Sequence, residues 1–142
     1  MRILVDGDSC SKQRQIELLA AKHNTPVFIY CSYSHQIKSN YSKVFMSDDG
    51  CNRVDNIIYL NCMQDDIIIT NDIGLASLCL LKTNNVLTNY GKILNKSNID
   101  FELGKRNMSK QLLKKIKKPN KIKLYDKKYY SFYDNLNQLL DA

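Results

Sequence analysis

No two cysteines in this 142-residue chain have the C-x-x-C spacing of a zinc knuckle or a dithiol redox motif. The five cysteines, at positions 10, 31, 51, 62 and 79, are scattered and odd in number, which points to reduced thiols in a cytosol. Cys62 and Cys79 fall in apolar helical patterns and are expected to be small core residues. No run of about 18 apolar residues occurs, so no membrane-spanning helix and no membrane partner are expected. The first residues pass straight into an apolar strand without the layout of a signal peptide, and a cytoplasmic location is expected. There is no internal repeat, low-complexity tract or second-domain signature. With 44% hydrophobic residues, the chain has enough apolar material for one core, and a single domain over residues 1–142 is expected.

Negative charge is scarce in one place. Residues 105–128 hold eleven cations (among them Lys105, Arg106, Lys110, Lys114, Lys115, Lys117 and Lys118) against Asp126 alone. The formal charge of the whole chain is +7, so the remainder is slightly acidic. An acidic body beside a basic helical segment at about 105–128 suits a polyanion such as nucleic acid. The same composition also describes a lysine-rich solvated helix.

The most informative stretch is Ile3-Leu4-Val5-Asp6-Gly7-Asp8-Ser9-Cys10. An apolar strand exits into two carboxylates spaced i, i+2, and Ser9 or Ser11 can cap a following helix. In a parallel sheet such an exit lies at the carboxyl end of the strand, where ligands bind. If Gly7 keeps the backbone extended, Asp6 and Asp8 diverge. If the chain turns there, both can reach one cation. Otherwise they are a loop aspartate and a helix cap. Ile67-Ile68-Ile69-Thr70-Asn71-Asp72 repeats the logic: strand, polar exit, carboxylate, helix. Asp72 is also a ready N-cap, yet acids at both strand exits favour a shared metal site.

The rest of the chain alternates strand and helix. Strands are expected near 2–6, 27–31, 43–46, 67–70 and 85–87, and helices at 11–24, 52–63, 73–82, from 97 or 98 to about 118, and 126–141. The helix at 73–82 is apolar nearly all round and is expected to be buried. His23, near a helix end, reads as structural. Residues 32–42 read as a polar loop, Ser47-Asp48-Asp49-Gly50 as a turn and Asn89-Tyr90-Gly91-Lys92 as another, with Ile93 and Leu94 following it. Asp55 lies in the first turn of its helix, where an acid suits the dipole or can reach toward Asp6. Asp65 and Asp66 precede their strand, the wrong end of a parallel sheet for a site, and read as turn residues. The alternation makes a mainly parallel α/β sheet the leading architecture.

Asp6-Gly7-Asp8-Ser9-Cys10, a mid-chain helix bearing Asp55, and Ile69-Thr70-Asn71-Asp72-Ile73-Gly74-Leu75-Ala76 together resemble the YaiI/YqxD family of small bacterial proteins related to PIN-like nucleases. The resemblance runs on through Asn98-Ile99, Arg106 and the terminal Phe132…Leu136…Leu139-Leu140. It implies a single-domain, PIN-like, three-layer α/β fold, with Asp6, Asp8, Asp55 and Asp72 on the family's acidic positions. Ser11 stands where many members have proline, and Gln13 where lysine is common, with Lys12 adjacent. Asn52 replaces an acid and offers a neutral ligand.

Phosphodiester hydrolysis requires charge stabilisation and an activated water, and Mg²⁺ or Mn²⁺ held by carboxylates provides both. In that reading Asp6 and Asp72 are core ligands, and Asp8 and Asp55 bind directly or through water. Thr70 and Asn71 orient ligands or substrate. Arg106 grips a phosphate bidentately or forms an ordinary salt bridge, and the basic segment tracks the RNA backbone. Two other classes compete. One is a non-catalytic nucleic-acid-binding or interaction protein with a degenerate acidic pocket. The other is a haloacid-dehalogenase-type phosphatase, with Asp6 as nucleophile and Asp8 as acid/base. Oligomeric state is left open by the sequence.

Overall fold

The computed structural model describes residues 1–48, 53–104 and 131–141. Its frame is a six-stranded sheet in the order β3-β2-β1-β4-β5-β6. The strands are β1 (Ile3–Asp6), β2 (Val27–Ser32), β3 (Lys43–Ser47), β4 (Ile67–Ile69), β5 (Asn85–Leu87) and β6 (Ile93–Leu94). The first five are parallel and β6 is antiparallel to β5. The helices are α1 (Gln13–Lys22), α2 (Arg53–Asn61), α3 (Ile73–Cys79), α4 (99–104) and α5 (Phe132–Asp141). Each expected strand is present. The hairpin strand β6 is an addition, formed where Ile93 and Leu94 had read only as residues after a turn.

The strand sequences explain the layering. Successive side chains point to opposite faces, so Ile3, Val5, Ile67 and Ile69 face one way and Leu4 and Ile68 the other. The first set packs with Ile16, Leu19 and Ala20 of α1 and with Phe132, Leu136, Leu139 and Leu140 of α5. The second packs with Val54 and Ile58 of α2, Leu75, Ala76 and Cys79 of α3, and Ile99 of α4. Strands buried on both faces must be apolar throughout, as Ile67-Ile68-Ile69 is. The result is the expected three-layer α/β arrangement.

Topology then fixes which helix goes where. The β1-α1-β2 connection steps one way across the sheet, and β3-α2-β4 and β4-α3-β5 step the other way. Right-handed crossovers therefore put α1 on one face and α2 and α3 on the opposite face, as the two cores record. The reversal falls between β1 and β4. That is the topological switch point, the crevice where an open α/β sheet binds its ligands.

Several local expectations hold, and one does not. His23 is structural: its Nε2 lies 3.0 Å from Asn137 Oδ1 and its Nδ1 3.5 Å from Asp141 Oδ1, joining α1 to α5. Asp66 is a turn residue at the amino end of the sheet, where it also forms a half-buried ion pair with Arg2 at 2.6 Å. Cys62 and Cys79 are buried. The helix expected over 73–82 is shorter, ending at Cys79, and is not buried all round: Leu78 and Leu81 are exposed because α3 packs against the sheet on one side only.

Gly7 sits where β1 leaves the sheet, and its N–H donates to Tyr30 O at 2.8 Å. A Cβ there would lie 2.7 Å from Ile37 Cδ1 and 3.0 Å from both Ile29 Cγ2 and Tyr30 O. Gly7→Ala is therefore expected to destabilise the fold by about 1–3 kcal/mol. Ile37→Ala in the same chain should recover only part of this loss, because the Tyr30 carbonyl cannot retreat. Chemical denaturation of the parent chain and the two variants reads both values.

Candidate acidic site at the sheet switch point

The chain turns at residues 7–9 instead of continuing extended, which separates the tasks of the first two carboxylates. Asp6, only 4% exposed, points to the β4 side. Its Oδ2 accepts from Thr70 Oγ1 at 2.8 Å and from Ser9 Oγ at 3.1 Å. Asp8 points to the β2 side. Its Oδ1 accepts from the Ser32 N–H at 2.9 Å and the Ser32 hydroxyl at 3.2 Å, with His35 Nδ1 at 3.4 Å. The two acids thus tie the end of β1 to its two neighbours in the sheet.

Thr70 is the hinge of the arrangement. Its hydroxyl donates to Asp6 and accepts the Asp72 N–H at 3.0 Å. Asp72 is the N-cap of α3, with its Oδ1 accepting from the N–H groups of Gly74 at 2.9 Å and Leu75 at 3.3 Å. Capping does not exhaust it. Asp55, in the first turn of α2, lies within side-chain hydrogen-bonding reach of Asp72. Helices that run back along a parallel sheet begin at the carboxyl ends of the strands, so the first turns of α2 and α3 both meet the switch point.

Two of these carboxylates, Asp55 and Asp6, are shifted by their surroundings. Burial, the hydrogen bond with Asp72, and the charges of Asp72, Asp6 and Asp8 push Asp55 up to about 6. Asp6 is also raised, chiefly by burial. The hydrogen bonds from Thr70 and Ser9 oppose this, and the charges of Asp8 and Asp72 add to it. Asp55 therefore keeps its proton well above the usual carboxylate range, with Asp72 as its hydrogen-bonding neighbour. Among the described residues, no three His, Cys, Asp or Glu side chains are gathered closely enough to enclose a metal ion by themselves.

The remaining candidates divide. Asn71 is at the rim: its N–H donates to Ser9 Oγ at 3.3 Å and its Oδ1 accepts the Asn89 N–H at 2.8 Å. Lys12 is half-exposed at the start of α1, with its N–H 3.4 Å from Cys10 Sγ. Asn52, Arg106 and the basic segment at about 105–128 lie outside the described residues, as do Asp49 and Gly50 of the expected turn.

Sequence reasoning missed two groups. One is Ser32, Ser34 and His35, at the exit of β2 beside Asp8. Ser32 Oγ lies 3.0 Å from Ser34 Oγ, and the two hydroxyls lie 3.1 and 3.3 Å from His35 Nδ1. All these contacts, with Asp8, go to one ring nitrogen, so this is not a nucleophile–base–acid relay, which uses both. The other is Asn89, whose amide pairs with Ser11 in both directions at 3.0 and 2.8 Å and joins the β1 and β5 exits. The signal was present: each follows a parallel strand and so lies at the same sheet end as Asp6.

Fold and site together define a doubly wound α/β domain with a group of carboxylates at its switch point. The chain belongs to the family described as "Uncharacterized BCR, YaiI/YqxD family", whose model matches residues 4–142. A "UPF0178 protein" of Clostridium novyi (strain NT) is 34% identical over 142 residues, covering 99% of this chain and 95% of that protein. One from Clostridium perfringens (strain SM101 / Type A) is 39% identical over 111 residues, covering 78% and 74%. One from Natranaerobius thermophilus is 40% identical over 112 residues, covering 79% and 76%. No solved structure is a significant match.

The raised Asp55 has a consequence for stability. An acid that binds its proton more tightly folded than unfolded favours the native state while protonated. That contribution is lost as pH rises from its ordinary 3.8 through about 6. Metal-free protein is expected to lose stability across this interval. Asp55→Asn should flatten most of the slope and raise stability at pH 7 by about 1 kcal/mol, discounted for partial exposure. Urea titrations at pH 4.5, 5.5 and 7 with a chelator present measure it.

Proposed function

We propose that this protein is a Mg²⁺- or Mn²⁺-dependent phosphodiesterase that cleaves RNA, working over the carboxyl ends of β1 and β4. The supporting observation is the meeting of Asp55 and Asp72, carboxylates from the first turn of α2 and the cap of α3, within side-chain hydrogen-bonding reach of each other beside a buried Asp6. Asp72 caps α3 and Asp55 suits the first turn of α2, but neither task requires the two acids to meet, and a divalent cation would relieve their repulsion.

The donors fit a hard divalent ion. All are oxygens, and Mg²⁺ characteristically takes one or two carboxylates and keeps its waters for the rest. Asp55 and Asp72 would hold it directly, and Asp6 and Asp8 through water. Bound there, the ion would supply charge at a phosphoryl oxygen and a water of lowered pKa. The chain's own residues do the rest. Thr70 holds the Asp6 carboxylate in place, Ser32 holds Asp8 away on the β2 side, and Asn71 presents its side chain at the rim. The eleven cations of residues 105–128 favour a polyanionic substrate over a small phosphomonoester. A covalent phosphatase would need Asp6 open to in-line attack, and Asp6 is buried with one oxygen already taken by Thr70 and Ser9.

Labelled single-stranded RNA is expected to be cut by the purified protein with Mn²⁺ and left intact with a chelator. Asp72→Asn should lower the rate roughly 10–100-fold or more at nearly unchanged stability, since asparagine caps a helix as well as aspartate. RNA binding without cleavage under all metal conditions would favour the binding-module reading. Hydrolysis of an aryl phosphate without RNA cleavage would favour the phosphatase reading.

A further inference from the structure

Strand β3 closes one edge of the sheet, and it is poorly hidden. Phe45 and Met46 are each 45% exposed and Lys43 is exposed, although β3 pairs with β2 along its whole length. Phe45 stacks on Tyr30 at 5.2 Å and touches Phe28 at 5.9 Å, so the aromatic row continues from the covered part of the sheet to its rim and stops there. Sheet edges elsewhere in proteins are shielded by very short strands, by charges within the strand or by a covering element. Here the strand has five residues, and its one formal charge, Lys43, is at its start.

We infer that this edge pairs with β3 of a second copy of the chain, antiparallel about a two-fold axis at Phe45. The charge pattern selects this occupant and this direction. Lys43 stands at the start of the strand and Asp48 directly after its end, both exposed. Antiparallel pairing sets each Lys43 opposite Ser47 of its mate, one residue from Asp48, whereas parallel pairing would set Lys43 against Lys43. The same register puts Phe45 opposite Phe45 on the Tyr30 face, and Val44 opposite Met46 on the other. Every apolar side chain of the strand then meets an apolar one, as an isologous interface requires. Cross-strand aromatic pairs of this kind stabilise antiparallel ladders. The join makes one continuous sheet and leaves the acidic crevice between β1 and β4 open, two strands away from it in each copy.

Sedimentation equilibrium of the full chain tests this directly. A dimer is expected at micromolar concentrations, with Phe45→Glu and Met46→Glu each weakening it about tenfold or more and a melting curve confirming that at least one remains folded. Lys43→Glu should weaken the dimer, and Lys43→Glu combined with Asp48→Lys should restore it. Phe45→Cys should cross-link to its own mate under mild oxidation, because paired Cα atoms in an antiparallel ladder lie within disulfide range. A monomer at all concentrations would overturn the inference. So would a dimer indifferent to the folded Phe45 or Met46 variant, or failure of the charge reversal to restore pairing.

Discussion

Two carboxylates that would repel in water are held together at the centre of this protein, and the fold determines why. Asp55 and Asp72 arrive on the first turns of α2 and α3, and both helices pack through apolar stripes against the same face of the sheet. Moving the acids apart would mean unpacking Ile58 or Leu75 from the core, and burying one such side chain contributes about 1.5–3 kcal/mol. The repulsion is the smaller of the two effects at this half-exposed position, so it appears as a bound proton and not as a displaced helix. The positive N-terminal ends of the two helices reduce its cost further.

The crevice also shows a division of labour among polar groups. Thr70 belongs to neither acid alone: one hydroxyl orients Asp6 and accepts the backbone of Asp72. Ser9 likewise serves Asp6 and the backbone of Asn71, and Asn89 fastens Ser11 and donates its N–H to the Asn71 side chain. The exits of β1, β4 and β5 are thus stitched together by short neutral side chains. The negative charge is left to the groups facing the crevice. Chemistry at such a site gains from rigid placement, since a misplaced carboxylate loses most of its value.

Much of this was legible in the residues. Ile67-Ile68-Ile69 can only be a strand buried on both faces, and an acid or polar group after each such run locates the carboxyl end of a parallel sheet. Asp55 was harder. Its place in a first turn has an ordinary explanation in the helix dipole, and only the right-handed crossover, which puts α2 on the same face as α3, brings it to Asp72. Strand β6 was missed because two residues carry no periodicity; it exists because the turn at 88–92 folds back, with Gly91 at φ 101° against the backbone of Phe132. His35 was passed over because its loop is polar throughout, and polarity says nothing about which strand end a loop crosses. The partial exposure of α3 was misjudged for a related reason: an all-apolar helix reads as buried, but Leu78 and Leu81 are exposed.

The central claim is that Asp55 holds its proton unusually tightly because the packing of two helices forces it against Asp72. Carbon-detected NMR titration of the aspartate carboxyl groups reports on it without needing a substrate. In chelator, Asp55 should titrate near pH 6, and Asp72→Asn should lower that midpoint by removing both the hydrogen-bonding partner and the nearest negative charge. Asp55 titrating near 4, with a midpoint indifferent to Asp72→Asn, would contradict the account.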